Sequence, residues 1–126
     1  MPLKKKFLCI VIFTLSSSNS FALSCASPIN SYDRTYCAGS EMIQLDQNLN
    51  EQYKKTINSL IKEERKTVKN AQIRWIRNRD NDCSSDGEIN VSCVNEKMRK
   101  RIETLRQIER ECKASGCNNE LLDRDD

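Results

Sequence analysis

Residues 41–83, EMIQLDQNLNEQYKKTINSLIKEERKTVKNAQIRWIRNRDNDC, contain no glycine and no proline. Apolar side chains recur along them at helical spacing: Met42, Leu45, Leu49, Tyr53, Ile57 and Leu60, then Val68, Ala71 and Trp75. Ser40 precedes acidic Glu41 and predicts an N-cap there. One straight helix of about 40 residues would run ~60 Å and could not bury its stripe in so small a chain. Folding the segment back near Lys62 solves this. That register sets Leu49 opposite Trp75, Tyr53 opposite Ala71, Ile57 near Val68 and Leu45 close to Arg79, as an antiparallel helix pair requires. The turn itself, Ile61-Lys62-Glu63-Glu64, carries no helix breaker. A continuous helix paired across a dimer is therefore the competing reading, and the oligomeric state stays open.

A second periodic stretch, Val94, Met98, Ile102, Leu105, Ile108 and Cys112, predicts a helix from Ser92 to about Lys113, packed across the hairpin. The fold class is thus all-α: a small three-helix, disulfide-stapled domain with a long antiparallel helical hairpin. With 126 residues the chain has room for one domain. Three glycines and two prolines are too few for a turn-dense β fold. The absence of histidine excludes a Ser-His-Asp triad, a Cys-His pair and any histidine-containing zinc site.

The first 22 residues read as an export signal. Lys4, Lys5 and Lys6 are followed by the apolar run FLCIVIFTL (residues 7–15), and Ser20-Phe21-Ala22 supplies small residues for cleavage near Ala22. Nine apolar residues are too few to span roughly 30 Å of hydrocarbon. Cleavage removes Cys9 and leaves Cys25, Cys37, Cys83, Cys93, Cys112 and Cys117, an even set that suits a disulfide framework in a periplasmic or secreted protein. Lipidation of Cys25 is the alternative. It would strand one thiol, and Ala22 stands where a lipobox usually has leucine. Local spacing suggests the pairs Cys25–Cys37, Cys83–Cys93 and Cys112–Cys117, although spacing alone leaves other connectivities open. All three phenylalanines leave with the signal. Only Trp75, Tyr32, Tyr36 and Tyr53 remain as aromatics, a thin core that needs staples.

Net charge is +3, and all of it sits on the three N-terminal lysines, leaving 18 basic and 18 acidic groups downstream. Those groups are segregated. Residues 62–79 hold seven basic and two acidic side chains, and residues 97–113 hold seven and three. Residues 80–96 hold Asp80, Asp82, Asp86, Glu88 and Glu96 with no base at all. Export and the scarcity of aromatics argue against nucleic acid as a partner of the basic runs, which read as solvated helix faces. The acidic run is sharper, because Asp80 and Asp82 fall at a predicted helix C-terminus where the helix dipole disfavours carboxylates. With Asp86 and Glu88 in the loop between Cys83 and Cys93 they form a candidate surface for a cationic partner, unless they merely balance Arg77 and Arg79. Four aromatics give little material for a sugar cleft around a catalytic carboxylate pair, and the acids do not match the calcium-loop spacing. No catalytic residue, metal ligand or cofactor is assigned, so the chain reads as a binder and not an enzyme.

Leu45-Asp46-x-x-Leu49-Asn50-x-x-Tyr53, followed by Ala71-Gln72-x-x-Trp75-Ile76-x-x-Arg79-Asp80-x-x-Cys83, resembles the LprI-type lysozyme inhibitor domain. Cys25, Cys37 with Glu41, Cys93-Val94 and the segment 101–105 fit the same pattern in order. The resemblance implies an exported, disulfide-linked helical domain, some of whose relatives inhibit lysozyme. It implies a lysozyme or another cell-wall hydrolase as partner, with an envelope interaction, immunity or accessory module as the alternative function. A small-molecule or metal-binding domain is a third class. Leu45, Asp46, Leu49, Tyr53, Gln72, Trp75 and Arg79 are expected to be scaffold residues, with Asp46 pairing Arg79 across the hairpin. The family's proline-containing breaker between the first two helices is missing here, and Cys112 and Cys117 lie beyond the shared pattern. The domain is placed at 23–117, followed by a flexible acidic tail at 118–126.

Overall fold

The structure, a computed structural model, describes residues 25–126, so the predicted export signal lies outside the described residues. In chain order it contains α1 (Ser31–Asn58), α2 (Lys62–Asp82), a hairpin of β1 (Ser84–Ser85) and β2 (Glu88–Ile89), α3 (Val91–Ser115) and the short α4 (Asn119–Leu122). The chain reverses at residues 59–61, so the hairpin replaces the continuous long helix.

Side chains close this reversal without glycine or proline. The Ser59 hydroxyl and amide both donate to the Thr56 carbonyl, at 2.7 and 3.0 Å, which ends α1. The Glu64 carboxylate accepts the Ile61 amide at 2.9 Å and satisfies a free donor at the start of α2. Arg65 Nε donates to the Leu60 carbonyl at 2.7 Å, while the Leu60 side chain plugs into the core.

Two expected helix starts are corrected. The first helix begins at Ser31, not after Ser40, because Asn30 is the better cap: its side chain accepts the Asp33 amide at 2.8 Å, and Asp33 accepts the Ile29 amide at 3.3 Å. The third begins after Asn90, whose side chain accepts the Cys93 amide at 3.0 Å, so Ser92 lies within the first turn.

α1 and α3 run parallel in close contact, and α2 runs antiparallel to both. Near one end Asn95 Nδ2 donates to the Ala38 carbonyl at 3.0 Å; near the other, the Thr56 hydroxyl donates to the Leu105 carbonyl at 3.0 Å. The predicted register is corrected in one respect: the tightest partner of α1 is α3, not α2. α2 approaches less closely and closes the core with larger side chains, Trp75 above all. Leu49, Leu60, Val68, Trp75, Val94, Met98, Ile102, Leu105 and Ile108 form that core, with Leu45, Tyr53 and Ile57 packed against it.

Arg101 is completely buried at the α2–α3 seam. Its Nε donates to Gln72 Oε1 at 2.7 Å and its Nη1 to the Arg124 carbonyl at 2.6 Å. Burial pushes the guanidinium pKa down to about 10, against the opposing pull of Asp126 and Asp125. Gln72, a motif residue, thus offsets part of the desolvation cost of Arg101 on the neighbouring helix; the Arg101 Nη2 is buried without a hydrogen-bond partner among the described residues.

The tail expected to be flexible is docked. Leu121 and Leu122 are buried in the core, and Arg74 pairs with Asp123 and Asp125, both at 2.8 Å. Two leucines among polar residues are too short a stretch for periodicity to register. Three disulfides join Cys25–Cys37, Cys83–Cys93 and Cys112–Cys117.

Replacing Leu122 with alanine should cost about 2–5 kcal/mol in urea denaturation, a loss that a frayed tail would not produce. Glu109 accepts from Lys113 Nζ at 2.6 Å and from Gln52 Nε2 at 2.8 Å, and these bonds hold its carboxyl below the ordinary range. Its contribution is therefore present above the unfolded carboxylate pKa and is lost as pH falls through the folded value. Glu109→Gln should be less stable than the parent near neutral pH, and the gap should narrow as acid protonates Glu109, read from urea denaturation across a pH series.

Candidate functional site

The acidic run at 80–90 folds around a tight hairpin. Ser85 pairs with Glu88, and the two residues between them, Asp86 and Gly87, both adopt left-handed backbone conformations, with φ of 51° and 80°. Asp-Gly is the favoured pair for such a turn, since glycine meets no Cβ penalty and aspartate tolerates the left-handed region. That dipeptide was the available sequence signal for the strands, which helical periodicity overlooks. Cys83–Cys93 pins the base of the hairpin, where the Asn90 amide donates to the Cys83 carbonyl at 2.8 Å.

The four acids of the candidate partner surface separate into two kinds. Asp80 accepts from Arg79 Nε and Nη2 at 2.9 and 2.7 Å, and Asp82 accepts from Lys97 Nζ at 2.7 Å. These contacts offset the unfavourable position of both acids at the end of α2. Asp86 and Glu88 are exposed on the hairpin and make no ion pair among the described residues; the Ser85 hydroxyl donates to Asp86 at 3.2 Å. Within this surface the free negative charge lies on the hairpin; Glu96, farther along the run on α3, is also exposed and makes no ion pair among the described residues.

Beside the hairpin lies an open groove of about 670 Å³ between α1, the end of α2 and the start of α3. Met42, Val94 and Met98 line its apolar part; Asp46 and Gln47 on α1 and Arg79 and Asp80 on α2 supply polar lining. Ile43 and Ile89 also line it and remain 62 % and 64 % exposed. Ile43 is in register with Tyr32 and Tyr36 on one face of α1, and both tyrosines are exposed. Large apolar side chains off the buried stripe are the sequence signal for this groove. Reading the stripe as core passed over them.

The motif residues fall mostly where a scaffold needs them. Leu49 and Trp75 are core, Leu45 and Tyr53 pack against it, and Gln72 holds Arg101. The expected pairing of Asp46 with Arg79 is corrected: both line the groove, but Asp46 accepts from Asn50 Nδ2 at 3.2 Å while Arg79 turns to Asp80. Arg79 also lies over the Trp75 ring, 5.2 Å from its centroid, and so links core to groove. Among the described residues no group of three or more Cys, Asp or Glu is placed to hold a metal ion. The arrangement offers an apolar recess with an acidic margin, a chemistry of docking.

The family model described as lysozyme inhibitor LprI matches residues 24–105. The chain belongs to the LprI lysozyme inhibitor family. No curated protein and no solved structure matched it in the corresponding comparisons. The LprI match takes in the first two disulfides, the hairpin and the whole groove, and ends within α3. Cys112–Cys117 and α4 therefore add to the LprI pattern at its C-terminal end.

Removing the Arg79 side chain should uncover the indole of Trp75, the chain's one tryptophan. Arg79→Ala should red-shift the emission and lower stability by about 1–2 kcal/mol, through lost cation–π contact and lost packing of the alkyl stem.

Proposed function

We infer that this protein is an exported inhibitor that blocks a peptidoglycan-cleaving lysozyme by protein–protein contact, with the groove and its hairpin as the docking face. One observation carries the assignment of the face: Asp86 and Glu88 project unpaired charge from a disulfide-pinned turn beside exposed Ile43 and Ile89. Family membership supports the class of target, and the N-terminal export pattern with six downstream cysteines supports a periplasmic or secreted site of action.

The two parts of the face do different work. The hairpin carboxylates attract a cationic lysozyme and raise its rate of encounter, an effect that salt screens. Ile43, Ile89 and the neighbouring tyrosines supply the apolar contacts that set the lifetime of the complex. A cleft with a catalytic carboxylate pair is covered once the partner is seated on this face.

Clearing of a cell-wall suspension by a cationic lysozyme, with the oxidised mature protein added, tests the reading. Inhibition is expected. Asp86→Lys with Glu88→Lys should slow association and flatten its salt dependence, whereas Asp82→Asn should have little effect because Lys97 already neutralises Asp82. Ile43→Asp with Ile89→Asp should weaken inhibition about tenfold or more while leaving stability within about 0.5 kcal/mol. Unchanged inhibition by both double variants would remove this face from the account, and no inhibition by the parent would remove lysozyme as the target.

A further inference from the structure

The end of the molecule that carries the α1–α2 reversal has the opposite character to the hairpin. Lys54 and Lys55 close α1, and Lys62, Arg65, Lys66 and Lys69 occupy the first two turns of α2; all six are exposed. None of the five lysines makes an ion pair among the described residues, although most cations from residue 74 onward do. Acids at this end offset only part of that charge. Glu51 lies one turn before Lys54 and Lys55, and Glu63 and Glu64 are the two in the turn, with Glu64 held on the Ile61 amide. On the adjacent part of α3, Glu103 is paired with Arg106 and Arg110, and Glu109 with Lys113, so that helix is locally balanced. Lys55 acts on Glu109 only at longer range.

At the apex of this basic end sits Ile61, 62 % exposed, directly before Lys62. A solvated helix face explains the lysines but not an isoleucine at the tip of a turn that has no structural use for its side chain. The cap at that position uses the Ile61 backbone alone. A lone apolar residue ringed by lysines is the chemistry of a contact with an anionic lipid surface: the ammonium groups meet headgroup phosphates, and the apolar tip enters the headgroup–acyl boundary. A dissolved polyanion would use the lysines and leave Ile61 in water.

We propose that the 54–69 end of the molecule binds the surface of a membrane containing anionic phospholipid. The binding is peripheral, since among the described residues no helix is long and apolar enough to cross a membrane. The acidic hairpin lies at the far end of α2, twenty residues from Lys62, so a molecule seated this way turns its hairpin and groove away from the lipid. This surface is separate from the inhibitory face, and its occupancy does not depend on the lysozyme reading.

Co-flotation of the oxidised mature protein with vesicles tests the proposal. Binding is expected to phosphatidylcholine vesicles containing about a third phosphatidylglycerol, not to phosphatidylcholine alone, and it should weaken steeply with salt. Replacing Lys62, Lys66 and Lys69 together by glutamine should lower partitioning about a hundredfold, at roughly fivefold per lysine. All three side chains are exposed, so far-UV circular dichroism and any lysozyme inhibition in solution should be unchanged. Ile61→Ser should lower partitioning about tenfold. Equal flotation with both vesicle types, flotation with neither, or parental binding by the triple variant would overturn the proposal. Parental binding by Ile61→Ser would overturn the lipid assignment in favour of a general polyanion site.

Discussion

Everything in this fold depends on reversing a helix without a residue that breaks one. Residues 59–61 do so through competition for backbone groups: the Ser59 hydroxyl takes the Thr56 carbonyl, the Glu64 carboxylate takes the Ile61 amide, and Arg65 takes the Leu60 carbonyl. Each bond contributes on the order of 1 kcal/mol, and together they satisfy groups that a continuous helix would otherwise have used. Burial of Leu60 supplies the reason to turn, since an unbroken helix would carry that side chain away from the core. Once the turn is made, α2 returns along the molecule, Cys83 meets Cys93, and α3 can lie parallel to α1.

Much of this was legible in residues 41–83, because an apolar stripe at helical spacing has few places to go in a chain this short. The partner of each stripe was less legible. Periodicity states which face of α1 is buried but not that Thr56 and Ala38 sit where α3 approaches most closely; that choice is made by small and hydroxyl-bearing side chains at the contact. Cap positions failed for a related reason. Ser40 and Ser92 are good caps in isolation, yet Asn30 and Asn90 win because each also has the following helical turn correctly placed to donate to it.

The candidate site shows the same division between pattern and context. The acidic composition of residues 80–96 was plain, but composition cannot tell a carboxylate in an ion pair from one that faces water. Arg79 and Lys97 remove Asp80 and Asp82 from the count, which leaves Asp86 and Glu88 on the hairpin and Glu96 on α3. Ile43 and Ile89 were invisible as a pair, because they are distant in sequence and only the close approach of the hairpin to α1 makes them neighbours across one groove. A buried arginine is the converse case: Arg101 looked like one more basic residue on a solvated face, and the structure instead makes it the bracket that joins α2, α3 and the C-terminal segment.

The three disulfides span 12, 10 and 5 residues and follow one another along the chain without overlap. Each cysteine's partner is therefore its nearest neighbour among the six. For a polypeptide emerging end-first into an oxidising compartment, every cross-link can close before the next cysteine pair arrives, and the simplest order of oxidation is already the native one. Such a connectivity asks for little rearrangement of its thiols on the way to the native pairs.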